Sequence, residues 1–115
     1  VLYEDDAVSL TGKITDATKL QTSFYWYRQA AERGVAKAQF NLGLMYAMGK
    51  GTHKNNQHAH MWFNLAGSKG LKLARHYRMQ VEKQLTNIEI AGAKDLAKQW
   101  VTEHENQNQT NLTAQ

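Results

Sequence analysis

Histidines are the residues of this 115-residue chain that most readily suggest a chemical site, and there are five of them. His58 and His60 lie two positions apart on a stretch that reads as a helix, where side chains at i and i+2 point about 200° apart. That geometry is poor for one metal ion, and no carboxylate joins them at a ligand spacing. We therefore expect His53, His58 and His60 to be loop and surface residues, and we predict no metal ion and no cofactor.

The sequence contains no recognisable motif of catalytic residues. The segment Gly49–Thr52 lacks the length and the preceding strand of a phosphate-binding loop. No serine or threonine lies in a nucleophile-elbow context, and the absence of cysteine removes thiolate chemistry. The carboxylates are few and scattered. We predict no catalytic residue and a protein that is not an enzyme.

Positive charge concentrates on the predicted fourth helix, at Lys69, Lys72, Arg75, Arg78 and Lys83. The formal net charge of +4 is too small to imply nucleic acid by itself. Aromatic residues do not interleave with the exposed side of this basic stripe, so stacking on single strands has little support. A solvated outer face is the ordinary interpretation. The alternative is an electrostatic binder of an acidic partner, either nucleic acid or an anionic membrane surface.

Apolar residues recurring at three- and four-residue steps predict five helices. Their predicted bounds are Ala17–Arg33 with Asp16 as N-cap, Ala36–Met48, Asn56–Ser68, Leu71–Leu85, and a fifth helix that Thr86 and Glu89 begin with a capping box and that ends near His104. Glycines mark the predicted turns. Gly43 falls inside the second helix, which indicates that a neighbouring helix crosses closely there.

The two ends of the chain are less regular, and we divide the chain at them into residues 1–17, 18–105 and 106–115. Residues 1–17 include an alternation of apolar and polar residues, from Ala7 to Ile14. This segment is either a short extended stretch lying on the helices or the altered remnant of an upstream repeat. Residues 106–115 are polar and low in complexity, and we predict that they are disordered.

An internal repeat organises the middle of the chain. Four pairs of identical residues are each 36 positions apart: Trp26 and Trp62, Ala30 and Ala66, Gly34 and Gly70, and Ala38 and Ala74. A period of this length built from two helices is the signature of an α-solenoid. Small residues let the two helices of a hairpin approach closely, and the aromatic residues fill the seam between hairpins.

The repeat resembles the Sel-1-like repeat (SLR) family, which is related to the tetratricopeptide repeat. The matching residues are Trp26, Tyr27, Ala30, Ala31, Gly34, Ala38, Gln39, Leu42, Gly43, Tyr46, Gly49 and Gly51. The match is specific from about Ser23 to Gln57 and continues to Ala74. It departs at Arg78 and Met79, where the pattern has leucine and glycine, and it fades upstream of Leu20.

The resemblance implies an all-α fold: a short α/α solenoid of two SLR helix–turn–helix hairpins plus a C-terminal capping helix over residues 86–104, with an extended or irregular N-terminal segment. Two repeats are fewer than the three or so that such arrays need, so self-association is one way to supply the missing burial. No apolar run is long enough to cross a membrane. We expect a soluble protein of the bacterial cytoplasm or periplasm.

The function that the resemblance implies is a non-enzymatic scaffold that binds a protein or peptide partner on its concave helical surface; nucleic acid is not the expected partner. The predicted partner-binding residues lie outside the family pattern and are Tyr25, Arg28, Gln29, Asn64 and Ser68. Residues within the pattern, Trp26, Tyr27, Tyr46 and Trp62, are expected in the core.

Overall fold

The computed structural model describes the backbone of residues 13–114 and the side chains of residues 17–104. Within that range the chain forms five helices and no strand: α1 Lys13–Glu32, α2 Ala36–Met48, α3 Asn56–Ser68, α4 Lys72–Glu82 and α5 Asn87–Ala114. Each of α2, α3 and α4 packs against the helix before it, and α5 packs on α3. The predicted all-α solenoid is confirmed.

Helix α3 is the centre of the molecule, because α2, α4 and α5 all pack against it. One core cluster joins α1, α2, α3 and α5 and includes Ala31, Leu42, Trp62 and Ala97. The other joins α2, α3 and α4 around Phe63. A helix with neighbours on so many sides needs apolar residues nearly all round, which α3 has at Ala59, Met61, Trp62, Phe63, Leu65 and Ala66.

The glycine turns fall where the repeat predicts them. Gly34 and Gly70, one repeat apart, have φ angles of 88° and 97°, which a residue with a side chain rarely adopts. The Lys69 ammonium group donates a hydrogen bond to the Gly34 carbonyl oxygen. This contact links the turn after α1 to the turn after α3.

Gly43 confirms the close helix crossing that its position predicts. A Cβ atom built on Gly43 would lie 2.6 Å from Cε1 and 2.7 Å from Cδ1 of Phe63. The Phe63 ring of α3 therefore packs directly on the backbone of α2. Buried Gln39 of α2 adds a link to α1, since its Nε2 donates to the Ala31 carbonyl oxygen over 3.2 Å.

The helix ends differ from the predicted ones in three places. Helix α1 begins at Lys13, so Asp16 lies inside it and is not its N-cap. Gly12 is the last helix breaker before this point, and nothing between Lys13 and Glu32 interrupts the helix. Residues 13–17 are thus helical, and the rest of the predicted extended segment lies outside the described residues.

Helices α4 and α5 account for the other two differences. Helix α4 ends at Glu82 instead of Leu85, because residues 83–85 form tight turns that lead into the capping box. That box is confirmed: Glu89 N donates to Thr86 Oγ1 over 3.1 Å, and Thr86 N donates to Glu89 Oε1 over 2.8 Å. Helix α5 continues to Ala114, so the predicted disordered tail is helical to that residue. No glycine or proline follows Gly92 to end the helix.

Two of the four expected core aromatics were wrongly assigned. Trp62 is 4% exposed and Tyr46 packs against the core, as expected, but Trp26 is 63% exposed and Tyr27 is 38% exposed. Trp62 lies one repeat later and is covered by residues of α1 and α2. Among the described residues no hairpin precedes α1, so nothing equivalent covers Trp26.

Candidate functional site

A groove of about 530 Å³ between α3 and α5 is the part of the surface where predicted site residues meet. We name it the α3–α5 groove. Helix α3 lines it with Asn64, Leu65 and Ser68, and α5 lines it with Lys94, Ala97, Lys98, Val101 and Thr102. The groove thus contains two of the five predicted partner-binding residues, Asn64 and Ser68, on one wall.

Hydrogen bonds inside the chain fix the α3 wall. Arg78 Nη1 of α4 donates to Asn64 Oδ1 over 3.2 Å, so the donor group Nδ2 is what the Asn64 amide has left for a ligand. The Ser68 hydroxyl donates to the Leu65 carbonyl oxygen over 2.7 Å. Ser68 therefore offers a ligand only an acceptor oxygen, and its small side chain leaves the groove wide.

The wall supplied by α5 was not predicted. Lys94, Lys98 and Thr102 follow each other at four-residue steps, which places them along one face of the helix. Trp100 holds this helix against α3, with its ring centroid 6.0 Å from that of Trp62 in a T-shaped arrangement. The sequence shows the four-residue spacing of these three residues. It does not show which helix they face, because the repeat pattern ends before α5.

The three predicted residues of α1 lie apart from the α3–α5 groove. Tyr25 is 54% exposed, and its ring packs edge-on against Trp26 at a centroid distance of 5.2 Å. Arg28 is exposed and Gln29 is half-buried. By the 36-residue offset these residues occupy on α1 the positions that Met61, Asn64 and Leu65 occupy on α3. The structure therefore places the five residues on two helices and brings only Asn64 and Ser68 together.

One contact joins the end of α1 directly to α5. His104 Nε2 lies 3.4 Å from Glu32 Oε2. The same ring stacks on Trp100 at a centroid distance of 3.7 Å, and its Nδ1 lies 2.8 Å from the Trp100 carbonyl oxygen. The end of α1 thus contacts the C-terminal half of α5.

Not all of the histidines that we predicted at the surface are exposed. His60 is fully buried, because α4 covers this side of α3, and its Nε2 lies 2.7 Å from Glu82 Oε2. Its Nδ1 has no hydrogen-bond partner among the described residues. Within the described part of the chain, no group of three or more potential ligand side chains could hold a metal ion.

His58 has a different environment, next to α2. Its ring lies 5.2 Å from that of Tyr46. Burial lowers the pKa of His58, and the positive charge of Arg28 lowers it further. Burial is also the main reason that the pKa of Tyr46 is raised. Packing at the seam between α2 and α3 therefore favours the neutral form of both groups.

Most of the basic stripe serves the fold. Arg75 Nε donates to the Gly67 carbonyl oxygen at the end of α3 over 3.0 Å, and Arg78 donates to Asn64. Lys69 donates to the turn at Gly34, and Lys83 donates to Gln80 over 3.4 Å. Cations at a helix C-terminus stabilise its exposed carbonyl groups. Capping of α3 by Arg75 and the bond from Lys69 to the turn at Gly34 thus explain part of the pattern that suggested an electrostatic binder.

Comparison with known proteins agrees with this architecture. A search of solved structures matched a protective antigen of uropathogenic Escherichia coli that displays an SLR fold, with a TM-score of 0.70 and 28% sequence identity over 83% of this chain. A chitin synthase regulator, SKT5 of Saccharomyces cerevisiae, is 43% identical over 44 residues, or 38% of this chain. The chain spans only 21% of the first protein and 6% of the second.

The Sel1 repeat model matches residues 10–35 and 36–71. The first match begins upstream of Leu20, where the resemblance had been expected to fade, and favours an upstream repeat as the origin of residues 13–17. The second match pairs α2 with α3, whereas the pattern read from Trp26 pairs α1 with α2. The two descriptions differ only in where the period starts. The two matches cover more than half of the residues, and the chain belongs to the Sel1 repeat family.

Proposed function

We propose that this chain is a protein-interaction module and that a segment of its partner binds in the α3–α5 groove. The observation that carries this proposal is the groove itself, which joins an apolar floor to polar walls from two helices. Leu65 and Ala97 lie at the floor and are 4% and 5% exposed. Binding sites in proteins commonly combine such a floor with a few placed polar groups.

The rigidity of the walls supports binding without a large ordering cost. Trp62 and Trp100 hold the two helices together, and Arg78 holds Asn64 in place. A surface that is already ordered loses less conformational entropy when a ligand binds. Sel1 repeat proteins generally mediate protein–protein interactions, and this agrees with a preformed groove rather than a catalytic centre.

Helix α1 provides a second part of the proposed surface. Tyr25 and Arg28 are exposed, and tyrosine and arginine are frequent energetic anchors of interfaces. Because the repeat offset gives Arg28 the position of Asn64, which lines the groove, we propose that Arg28 and the neighbouring exposed Tyr25 extend the binding surface along the solenoid. As for membranes, none of the described helices combines the length and the hydropathy of a membrane span.

The test blocks the groove without disturbing the core. Thr102 is exposed on the α5 wall, so Thr102→Trp should fill the groove and leave the fold intact. Lys72→Trp, at an exposed position of α4 outside the groove, is the matched control. Partners captured by the wild type are compared by quantitative mass spectrometry, with helicity checked by circular dichroism.

The expected result is loss of specific partners by Thr102→Trp and their retention by Lys72→Trp. Retention of every partner by Thr102→Trp would show that the groove is not the binding site. The double variant Tyr25→Ala/Arg28→Ala tests α1 in the same way: we expect weaker capture with unchanged helicity, and unchanged capture would remove α1 from the surface.

A further inference from the structure

We infer that the α3–α5 groove selects an acidic segment, in which two carboxylate side chains flank an apolar one. This inference rests on the proposed function and names the chemistry of the partner. It starts from the charge of the lining: among the residues whose side chains are described, Lys94 and Lys98 are the charged ones in the groove, and no aspartate or glutamate lines it.

The two ammonium groups are available to a ligand. Lys94 and Lys98 are both exposed, and neither makes an ion pair or a side-chain hydrogen bond with another described residue. Helix α3 contains no acidic residue that could face them. The closest acid of α4, Glu82, is bound to His60 and lies 3.8 Å from Arg78.

Of the α5 acids whose side chains the structure describes, none lines the groove. Glu103 accepts a hydrogen bond from Gln99 Nε2 over 3.0 Å, and neither residue lines the groove. Asp95 follows Lys94 directly, and successive residues on a helix point about 100° apart. Asp95 is also absent from the lining. The groove therefore presents two unpaired positive charges beside the Asn64 amide, whose free Nδ2 is a further donor.

The spacing of the lysines suggests the arrangement of the acids. Residues four apart on a helix are separated by about 6 Å along its axis. In an extended peptide, side chains two residues apart lie on the same side at about 7 Å. Two carboxylates at i and i+2 can therefore reach Lys94 and Lys98 together, and the residue between them turns the opposite way, toward Leu65 on the α3 wall.

The floor favours an apolar residue at that middle position. Leu65 and Ala97 form a surface on which a leucine-sized side chain would bury apolar area, and Val101 is 37% exposed beside them. Burial of apolar surface gives affinity, while the exposed ion pairs give selectivity and a dependence on salt. The expected ligand class is thus acidic–apolar–acidic in sequence.

The experiment measures the binding of labelled peptides to the whole chain by fluorescence anisotropy at low salt. The probe is a nine-residue glycine- and serine-flanked peptide with glutamate-leucine-glutamate at its centre. We expect it to bind about fivefold to tenfold more tightly than the glutamine-leucine-glutamine version. A version with serine in place of leucine should also be weaker, by about tenfold.

Lys94→Gln/Lys98→Gln tests the assigned residues, with Lys72→Gln/Lys83→Gln on α4 as a control of equal charge change. The groove variant should lose the fivefold to tenfold preference for the glutamate peptide, and the control should keep it. Equal binding of the glutamate and glutamine peptides would overturn the inference. So would tighter binding of an oligonucleotide or of anionic vesicles through the same two lysines.

The peptide experiment and the test of the proposed function can fail independently of each other. Failure of the glutamate peptide together with loss of partners by Thr102→Trp would leave the groove as a binding site and refute its acidic specificity. Binding of the glutamate peptide that Thr102→Trp does not weaken would instead refute the groove as the place where the peptide binds.

Discussion

Replacing Gly43 with alanine sets two opposing effects against each other at one position of α2. Alanine is favoured over glycine inside a helix by about 1 kcal/mol, so in an open position the change would stabilise the chain. Here the new Cβ atom would lie 2.6, 2.7 and 3.2 Å from three atoms of the Phe63 ring. The first two distances are shorter than van der Waals contact allows.

The Phe63 ring is enclosed by other aromatic rings, which resist its movement. Phe63 is fully buried, and its ring centroid lies 5.8 Å from that of Phe40 and 5.9 Å from that of Tyr77. Overpacking of a filled core costs about 1–3 kcal/mol, and two severe contacts place this case in the upper half of that range. After subtraction of the helix-propensity gain, we expect Gly43→Ala to lower the free energy of unfolding by about 1–2 kcal/mol.

Urea unfolding followed by circular dichroism measures this effect. Gly92→Ala in α5 is the matched control, since its Cβ meets one described side-chain atom, Gln57 Nε2 at 3.0 Å, which donates to the Glu89 carbonyl oxygen over 2.9 Å. The gain in helix propensity and any loss of this hydrogen bond oppose each other, so we expect that variant to stay within about 1 kcal/mol of the wild type. A Gly43→Ala chain as stable as the wild type would refute the packing argument.

A double-mutant cycle tests whether contact with Phe63 causes the loss of stability in Gly43→Ala. Phe63→Leu destabilises the chain by itself because it removes ring contacts, but it also opens space above Gly43. The penalty of Gly43→Ala should therefore shrink by about 1 kcal/mol or more in the leucine background, as expected for residues in direct contact. A penalty of the same size in both backgrounds would place its origin elsewhere.

Two further predictions concern the cap of α5 and the seam at His58. Thr86→Ala removes the oxygen that accepts from Glu89 N, and we expect it to cost about 1 kcal/mol in urea unfolding. Because the pKa of His58 is lowered from 6.5 in the folded chain, the unfolded chain binds more protons below that pH, and His58 reduces stability as the pH falls. His58→Phe keeps a ring at the seam and should lose less stability than the wild type between pH 7.5 and pH 5.5 in thermal unfolding.

Controls for these two variants come from exposed positions. Thr102→Ala removes a hydroxyl group from the same helix as the cap, and no loss of stability is expected from it. His53→Asn removes an exposed loop histidine and should keep the pH dependence of the wild type. A Thr86→Ala chain as stable as Thr102→Ala, or a His58→Phe chain with the wild-type pH slope, would contradict the corresponding prediction.

Local signals in the sequence were enough to place most of the helices. The bounds of α2 and α3 agree with the predicted ones, because glycine turns and three- to four-residue periodicity act within a few residues of chain. The capping box at Thr86 and Glu89 is equally local. Two helix ends were missed: the start of α1 at Lys13, where the single preceding Gly12 is the whole signal, and the end of α5 beyond His104, which no residue type marks.

The candidate site depended on information that the sequence does not hold locally. Asn64 and Ser68 were predicted as residues outside the repeat pattern, but the wall that faces them comes from α5, which lies beyond the last recognisable repeat. No periodicity within α5 says which helix its lysines will face. That pairing follows from the packing of Trp100 on Trp62.

The sequence by itself determined the class of fold, the repeat period and the family, because these depend on patterns repeated along the chain. Tertiary structure alone decided which members of a pattern are buried. Trp26 and Trp62 are identical in type and in repeat position, yet one is 63% exposed and the other 4%. The physical reason is that burial in a solenoid comes from neighbouring hairpins: α3 has helices on several sides, whereas the described chain places none before α1.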